Sequence, residues 1–464
     1  MNAHHLSLRC RLKFIVSEEF MLKRSGVCVG FVFALLMWQS VLAQNVAVQS
    51  SVAGEWLVTT DIYGNPLHQR LVLKVDDGNL TGNLSGDKLE GKVSGSDIHF
   101  IARDSRGSTS EYKGTRSGDT ISGNAVLTDG QDPTDRTAGG FTARRMPPPR
   151  PGPAQRHEFT PTAYYRQFSA YTKPVLTIWP GDTVHTTTVD AGGADEKGVT
   201  RSLGGNPQTG PFYVETAMPG DVLAIHFTKV RLNRDWAISD DAIVGRAQGP
   251  GLAVKMKDGG KPIRWRLDRT NGFATPDKPA EHLKDFRVPL RPMMGCVAVA
   301  PGFASAPPPT GDSGRFGGNM DFNEIVEGVT VYLPIEQPGA LLYVGDGHAV
   351  QGDGELNGNA LETSMEVEFT VNVLREKSIR TPRVESPTHI MAVGLAGSLD
   401  DALRGATASL AEWLEQDYKL TPSEVAQVMG TSAEYVVNEV ADRNVGIVVK
   451  LRKERLAGLA APKP

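Results

Sequence analysis

Hydrophobic and polar positions along this chain alternate in two long blocks and take on helical spacing only near the end. In the first block, short apolar runs at 55–60, 69–75 and 97–102 are separated by turn signals such as Asp76-Asp77-Gly78, Thr81-Gly82 and Ser117-Gly118-Asp119. A crude repeat runs through it: LTGNLSG, LEGKVSG and ISGNAV each place a glycine near a strand end. This spacing predicts a small all-β domain over 46–145, a sandwich or barrel of hairpins. The second block, from about 157 to 380, alternates again at 222–227, 331–334 and 365–373. Apolar residues at helical spacing then predict a helix over 399–417, a second opening at Thr421-Pro422-Ser423-Glu424 with an N-cap and a first-turn proline, and a third near 432–441. The body, 157–460, is therefore expected to be α+β but mainly β, with C-terminal helices. Between the blocks the stretch RRMPPPRPGPAQR ends in a proline-rich linker over 146–156, which favours extended, semi-rigid geometry.

Composition narrows the class. The 464 residues, 22% charged and 40% hydrophobic, suit a soluble globular protein of about two to three domains. A formal net charge of −4 without a basic stripe argues against a nucleic-acid partner. Abundant glycine (50) and proline (30) agree with short strands and many turns. From Met21 the chain reads as a signal peptide: Lys23 and Arg24, an apolar run over 27–38, and Val41-Leu42-Ala43 as a cleavage site. The run is shorter than the ~20 residues a membrane span needs, so no stable membrane anchor is expected. Residues 1–43 are taken as an extension plus signal, with Met21 as the true start, and the mature protein as periplasmic or secreted. Cys10 and Cys28 would leave with that segment, so Cys296 cannot form an internal disulfide.

Three polar clusters could carry chemistry. In the first, the turn Pro180-Gly181-Asp182 leads into a strand that ends at Asp190 before Gly192 and Gly193. Alternation places Asp190 on a face with Thr186 and Thr188 and sends His185 the other way. The second, Gly317-Gly318-Asn319-Met320-Asp321, would project Asn319 and Asp321 to one side if extended. The third, 345–355, packs four glycines with Asp346, His348, Gln351, Asp353 and Glu355 behind an apolar strand. Such a loop can converge oxygen and imidazole ligands on one ion, and its spacing does not fit an EF-hand. Each cluster also reads as an ordinary polar turn.

The string from Asn206-Pro207-Gln208-Thr209-Gly210-Pro211 to Met218-Pro219-Gly220-Asp221 resembles the acetamidase/formamidase family's NP-x-TGP and PGD segment. GGNMD (317–321), LPIEQPGAL (333–341) and GDGHAVQGDGEL (345–356) resemble that family's later motifs. The likeness is collinear over about 157–455, including 435–440 and 445–455, and leaves the N-terminal domain outside. It implies a β-sandwich-like body that hydrolyses short linear amides such as acetamide and formamide to ammonia and a carboxylate. It also implies a divalent metal and functional positions at Asp190, Asn319, Asp321, Asp346, His348 and Glu355. Met320 stands where formamidases often carry cysteine, and Thr216 departs from the glycine common before PGD.

Cys296 lies in an apolar strand, and no serine- and lysine-bearing amidase loop is present, so water activated by a metal is the expected nucleophile. On that reading His348, Asp346 and Asp321 hold the ion, zinc with calcium as the second choice. Glu355 is the general base, and Asp190 and Asn319 assist. The competing class is an exported amide- or peptide-binding module on the same fold without chemistry. The quaternary state is left open, a homo-oligomer included. N-terminal sequencing of the exported protein should begin near Gln44. A soluble cytoplasmic chain that retains Met1 or Met21 would remove the export reading.

Overall fold

In the computed structural model, residues 52–302 and 306–459 are described. The extension and signal segment lie outside them. The first block forms eight strands: β1 (Gly54–Ile62), β2 (Asn65–Asp76), β3 (Asn79–Leu84), β4 (Asp87–Ser94), β5 (Asp97–Arg103), β6 (Thr109–Ser117), β7 (Thr120–Thr128) and β8 (Arg136–Arg145). Each pairs antiparallel with the next, and β8 closes on β1, so the hairpins make a closed barrel. The interior is filled by side chains. Trp56, Leu71, Leu80, Phe100, Tyr112 and Ile121 are all fully or almost fully buried, and the Phe100 and Tyr112 rings stack at 4.9 Å. The repeated glycines explain how so narrow a barrel packs. A Cβ at Gly82, Gly91 or Gly123 would strike the carbonyl of Val72, His99 or Lys113 on the neighbouring strand.

The second block builds two large sheets, of eleven and nine strands among the described residues. They share one core, with Phe212, Met294 and Val344 from the first and Ile225, Val331 and Phe369 from the second. The nine-stranded sheet is covered on its outer face by the helix Leu399–Tyr418, capped by Ser398 through the Asp401 amide. Alternation in the strand His389–Ala396 serves both layers. Met391 and Val393 enter the central core while Ile390 and Ala392 face the helix. A second helix, Pro422–Ser432, begins with a full capping box between Thr421 and Glu424. The third expected helix is absent. Residues Glu434–Glu439 form a strand paired with Val445–Arg452. The valine pair at 436–437 suits a strand, and pairing with a neighbour overrides the helix-forming alanines and glutamates around it.

The proline-rich stretch after β8 runs without strand or helix to Gln155. Barrel and body nevertheless fall in one unit beginning at Ala53. The contact turns on Arg70 of β2, 5% exposed, whose Nη2 lies 2.8 and 2.6 Å from the two oxygens of Asp221 in the PGD turn. Burial pushes the Asp221 carboxyl up, while the Glu376 amide, Arg70 and the Met218 amide pull it down. Arg70→Met would strand that carboxylate and should lower stability by about 3–5 kcal/mol in chemical unfolding. Arg375→Ala, which removes the exposed partner of Glu55, should stay within about 0.5 kcal/mol. Equal effects would mean that the Arg70 pair is not what pins the barrel.

Candidate active site

The strand Leu342–His348 is buried along its whole length between Met293–Ala298 on one side and Glu362–Thr363 on the other. Its end delivers Asp346 and His348. Gly295 in the flanking strand makes the necessary room, because a Cβ there would run into the carboxylate oxygens of both Asp346 and Asp321. The same glycine's carbonyl accepts from the Met320 and Asp321 amides at 3.0 and 3.1 Å and so docks the GGNMD segment. Asp321, Asp346 and Glu355 all adopt left-handed backbone, with φ of 41°, 57° and 48°. Strained positions of this kind persist only where the surroundings hold them. Glu355 ends the short turn Asp353–Glu355, and its Oε1 accepts from the Ala360 amide at 2.9 Å.

The potential ligand atoms of Asp321, Asp346 and His348 all lie within 4.8 Å of one another. The same holds for His348, Glu355 and Glu362, and for Asp321, Glu355 and Glu439. The histidine's orientation is fixed from behind. Gln351 Nε2 donates to the carbonyls of Asp321 (2.6 Å) and Asn438 (3.3 Å), so its Oε1, 2.8 Å from His348 Nδ1, must accept. Nδ1 therefore carries a proton, and Nε2 points at oxygen acceptors alone. These are Glu362 at 3.1 Å, Asp346 at 3.5 Å and Glu355 at 3.9 Å. His348 Nε2, Asp321 Oδ1, Glu362 Oε2 and Glu439 Oε2 are buried without a hydrogen-bond partner. A second proton on the ring, a protonated carboxyl donating to it, or a cation would satisfy Nε2 in that setting.

Electrostatics agree. Burial, then the neighbouring carboxylates, push Asp321 well above the usual range. Burial likewise raises Glu355 strongly, against the pull of His348. Burial raises Glu362 and Glu439 to about 7 and Asp442 to about 6. Burial works against the charge on His348, yet Glu362 and Asp346 overcome it and push the imidazole well above its ordinary value. Burial also opposes ionisation of Asp346, and His348 outweighs it and brings that carboxyl down. Five carboxylates thus crowd around one imidazole, an arrangement that could hold a metal ion.

Asp346, Glu355 and Glu362 of this group line a cleft of about 600 Å³, with Asp190, Asn319 and Asp442 also at its wall. Asp190 stands apart from the cluster. Its Oδ1 accepts from the Ala194 amide at 2.8 Å, and its Oδ2 is held by buried Arg234 at 2.6 Å. His185 faces elsewhere, between Glu158 and Glu366, as alternation requires. Asn319 is a strut: its Nδ2 donates to Asp321 (2.6 Å) and Asp442 (2.7 Å), and its Oδ1 accepts from Asn206. Cys296 is fully buried, and burial together with Asp346 and Asp321 pushes its thiol well up, the wrong direction for a thiolate. Sequence reasoning missed Glu362, Glu439, Asp442, Asn206 and Arg234. The segment at 435–440 carried a family likeness that could have flagged Glu439, but its reading as a helix left the side chain's direction undefined.

A two-sheet β protein with a buried carboxylate–histidine centre is the class that fold and cleft define. Residues 304–444 match the Acetamidase/Formamidase family. The acetamidase of Yersinia enterocolitica is similar in structure, with 28% identity and a TM-score of 0.56 over 66% of this chain and 94% of that one. That of Bacillus halodurans shares 26% identity, with a TM-score of 0.54 over 66% and 100%. A Schizosaccharomyces pombe protein named "Putative formamidase C869.04" is 35% identical over 75 residues, and the match spans 16% of this chain and only 18% of that protein. The body of this chain thus resembles members of the acetamidase/formamidase family, in sequence over 304–444 and in structure over a wider span, with the barrel added in front of it. Gly295→Ala tests the geometry. Overpacking against two fixed carboxylates should cost about 1–3 kcal/mol in thermal or chemical unfolding. An alanine variant as stable as its parent would mean that Asp321 and Asp346 are free to swing away.

Proposed function

We propose that this protein is an exported amidohydrolase acting on small linear amides, and that its carboxylate–histidine centre binds a divalent cation. The observation that carries the reading is His348 Nε2, buried and aimed at carboxylates alone while Nδ1 is committed to Gln351. The donor set fits a zinc-like ion better than calcium. An imidazole with a hydrogen-bonded rear nitrogen suits zinc, whereas calcium sites are built from oxygens. His348, Asp346 and Asp321 would hold the ion, with Glu362 able to join from the His348 side. A divalent ion bound there acts as a Lewis acid towards water and the amide carbonyl.

The chain's own residues supply the rest. Glu355, ionised when a cation occupies the centre, is placed to take a proton from water as the oxygen attacks the carbonyl carbon. As the carbon–nitrogen bond breaks, the same carboxyl returns the proton to the leaving nitrogen, giving ammonia and a carboxylate. Asn319 holds Asp321 in place, and Asp190, fixed by Arg234, borders the path into the cleft. Export rests on the signal-like segment from Met21 and its cleavage site after Ala43.

Ammonia release from acetamide and formamide, with and without chelator, is the direct test. His348→Ala should lose bound metal and activity together. Glu355→Gln should keep the metal and lose activity by roughly 10²–10⁴-fold, as expected for a positioned acid–base group. Loss of metal from Glu355→Gln would make Glu355 a ligand and move the base elsewhere. Unchanged turnover in both variants would favour the binding-module reading.

A further inference from the structure

A second cavity, about 700 Å³, lies between the outer face of the nine-stranded sheet and the end of the helix Leu399–Tyr418. It shares no lining residue with the carboxylate cleft. Its wall is amphipathic: Tyr332, Trp413 and Tyr418 alternate with aliphatic side chains and five charged groups. Two of those groups are acids, and each is already matched by a lysine. Glu385 takes Lys453 at 2.5 Å and the Tyr332 hydroxyl at 2.8 Å. Asp417 takes Lys377 at 3.2 Å and the Trp413 indole N–H at 3.0 Å. Arg383 is left over. It is 5% exposed, its guanidinium lies 5.0 Å over the Trp413 ring, and its one hydrogen bond among the described residues runs from Nη2 to the Ser409 carbonyl at 3.2 Å. Its Nε is buried with no partner.

A buried guanidinium that lacks a carboxylate is costly, and the ring face beneath it recovers only part of the loss. The other buried arginines among the described residues, Arg70 and Arg234, each have an aspartate at 2.6 Å. Burial lowers Arg383 to about 10, with Asp417 and then Glu412 acting against it at longer range, so it remains a cation at neutral pH. We propose that this cavity binds a small organic anion, a monocarboxylate with an apolar or aromatic body, whose carboxylate pairs with Arg383 and whose body rests against Trp413 and Tyr332. Charge complementarity favours one negative charge, because the wall's three cations and two anions leave a single positive charge unmatched. The site is independent of amide hydrolysis and stands or falls apart from it.

Calorimetric titration of the full-length protein with benzoate tests this, with benzyl alcohol as the neutral counterpart. Benzoate should bind with a dissociation constant of about 1 mM or tighter, and benzyl alcohol at least about tenfold more weakly. Arg383→Gln should weaken benzoate about tenfold or more, while Glu355→Gln in the other cleft leaves it unchanged. If Arg383→Gln does not fold, the benzoate–benzyl alcohol difference and its reduction by salt decide the matter in the unaltered protein. No heat at about 10 mM benzoate, equal binding of the two probes, or loss of benzoate binding in Glu355→Gln with Arg383→Gln unaffected would each overturn the proposal.

Discussion

The structure of the body turns on one requirement, the neutralisation of buried negative charge around His348. Carboxylates of Asp321, Asp346, Glu355, Glu362 and Glu439 share a space from which water is largely excluded, and a single imidazole stands among them. Charges of like sign cannot all persist in such a place, so either protons or a cation must enter. The raised Asp321, Glu355, Glu362 and Glu439 describe the proton-filled state. A divalent ion would reverse that balance and return the same groups to their ionised forms.

Holding repelling groups together demands a stiff frame. The strand that carries Asp346 and His348 is buried on both faces, and its neighbours contribute Gly295 and Glu362 in fixed register. Three of the carboxylates hang from left-handed residues that a flexible loop would relax. Asn319, Gln351 and Asn438 tie the segments from behind, since Asn438 Nδ2 donates to the Met320 carbonyl at 2.5 Å. The two-sheet core supplies the rigidity, and the amide side chains turn it into aim.

Much of this was legible before any coordinates. The period-two alternation read at 222–227 and 365–373 falls within the strands Val222–Leu232 and Met365–Leu374, and the Thr421-Pro422 start marked its helix to the residue. The density of acids and glycines at 345–355 pointed to the cleft. Alternation correctly separated Asp190 from His185. Convergence over long sequence distances was not legible. Glu362 reaches His348 only because two short strands pair, and Glu439 arrives from a strand 84 residues after Glu355 that local propensity assigns to helix. Side-chain direction is a product of pairing, and pairing partners are not written in a local pattern.

Three buried arginines show how the same side chain is put to different uses in one fold. Arg70 crosses from the barrel to Asp221 and makes the added domain part of the body. Arg234 consumes one oxygen of Asp190, while the Ala194 amide takes the other, which keeps that carboxylate out of the ligand set despite its place on the cleft. Both are closed pairs in which each charge answers the other. Arg383 has the burial of its counterparts and an aromatic face beneath it, but no acid of its own, because Glu385 and Asp417 are taken by lysines. Within the described residues its charge is met only by the Trp413 ring, the Ser409 carbonyl and the more distant Asp417 and Glu412, so it is the one of the three whose pairing is left open.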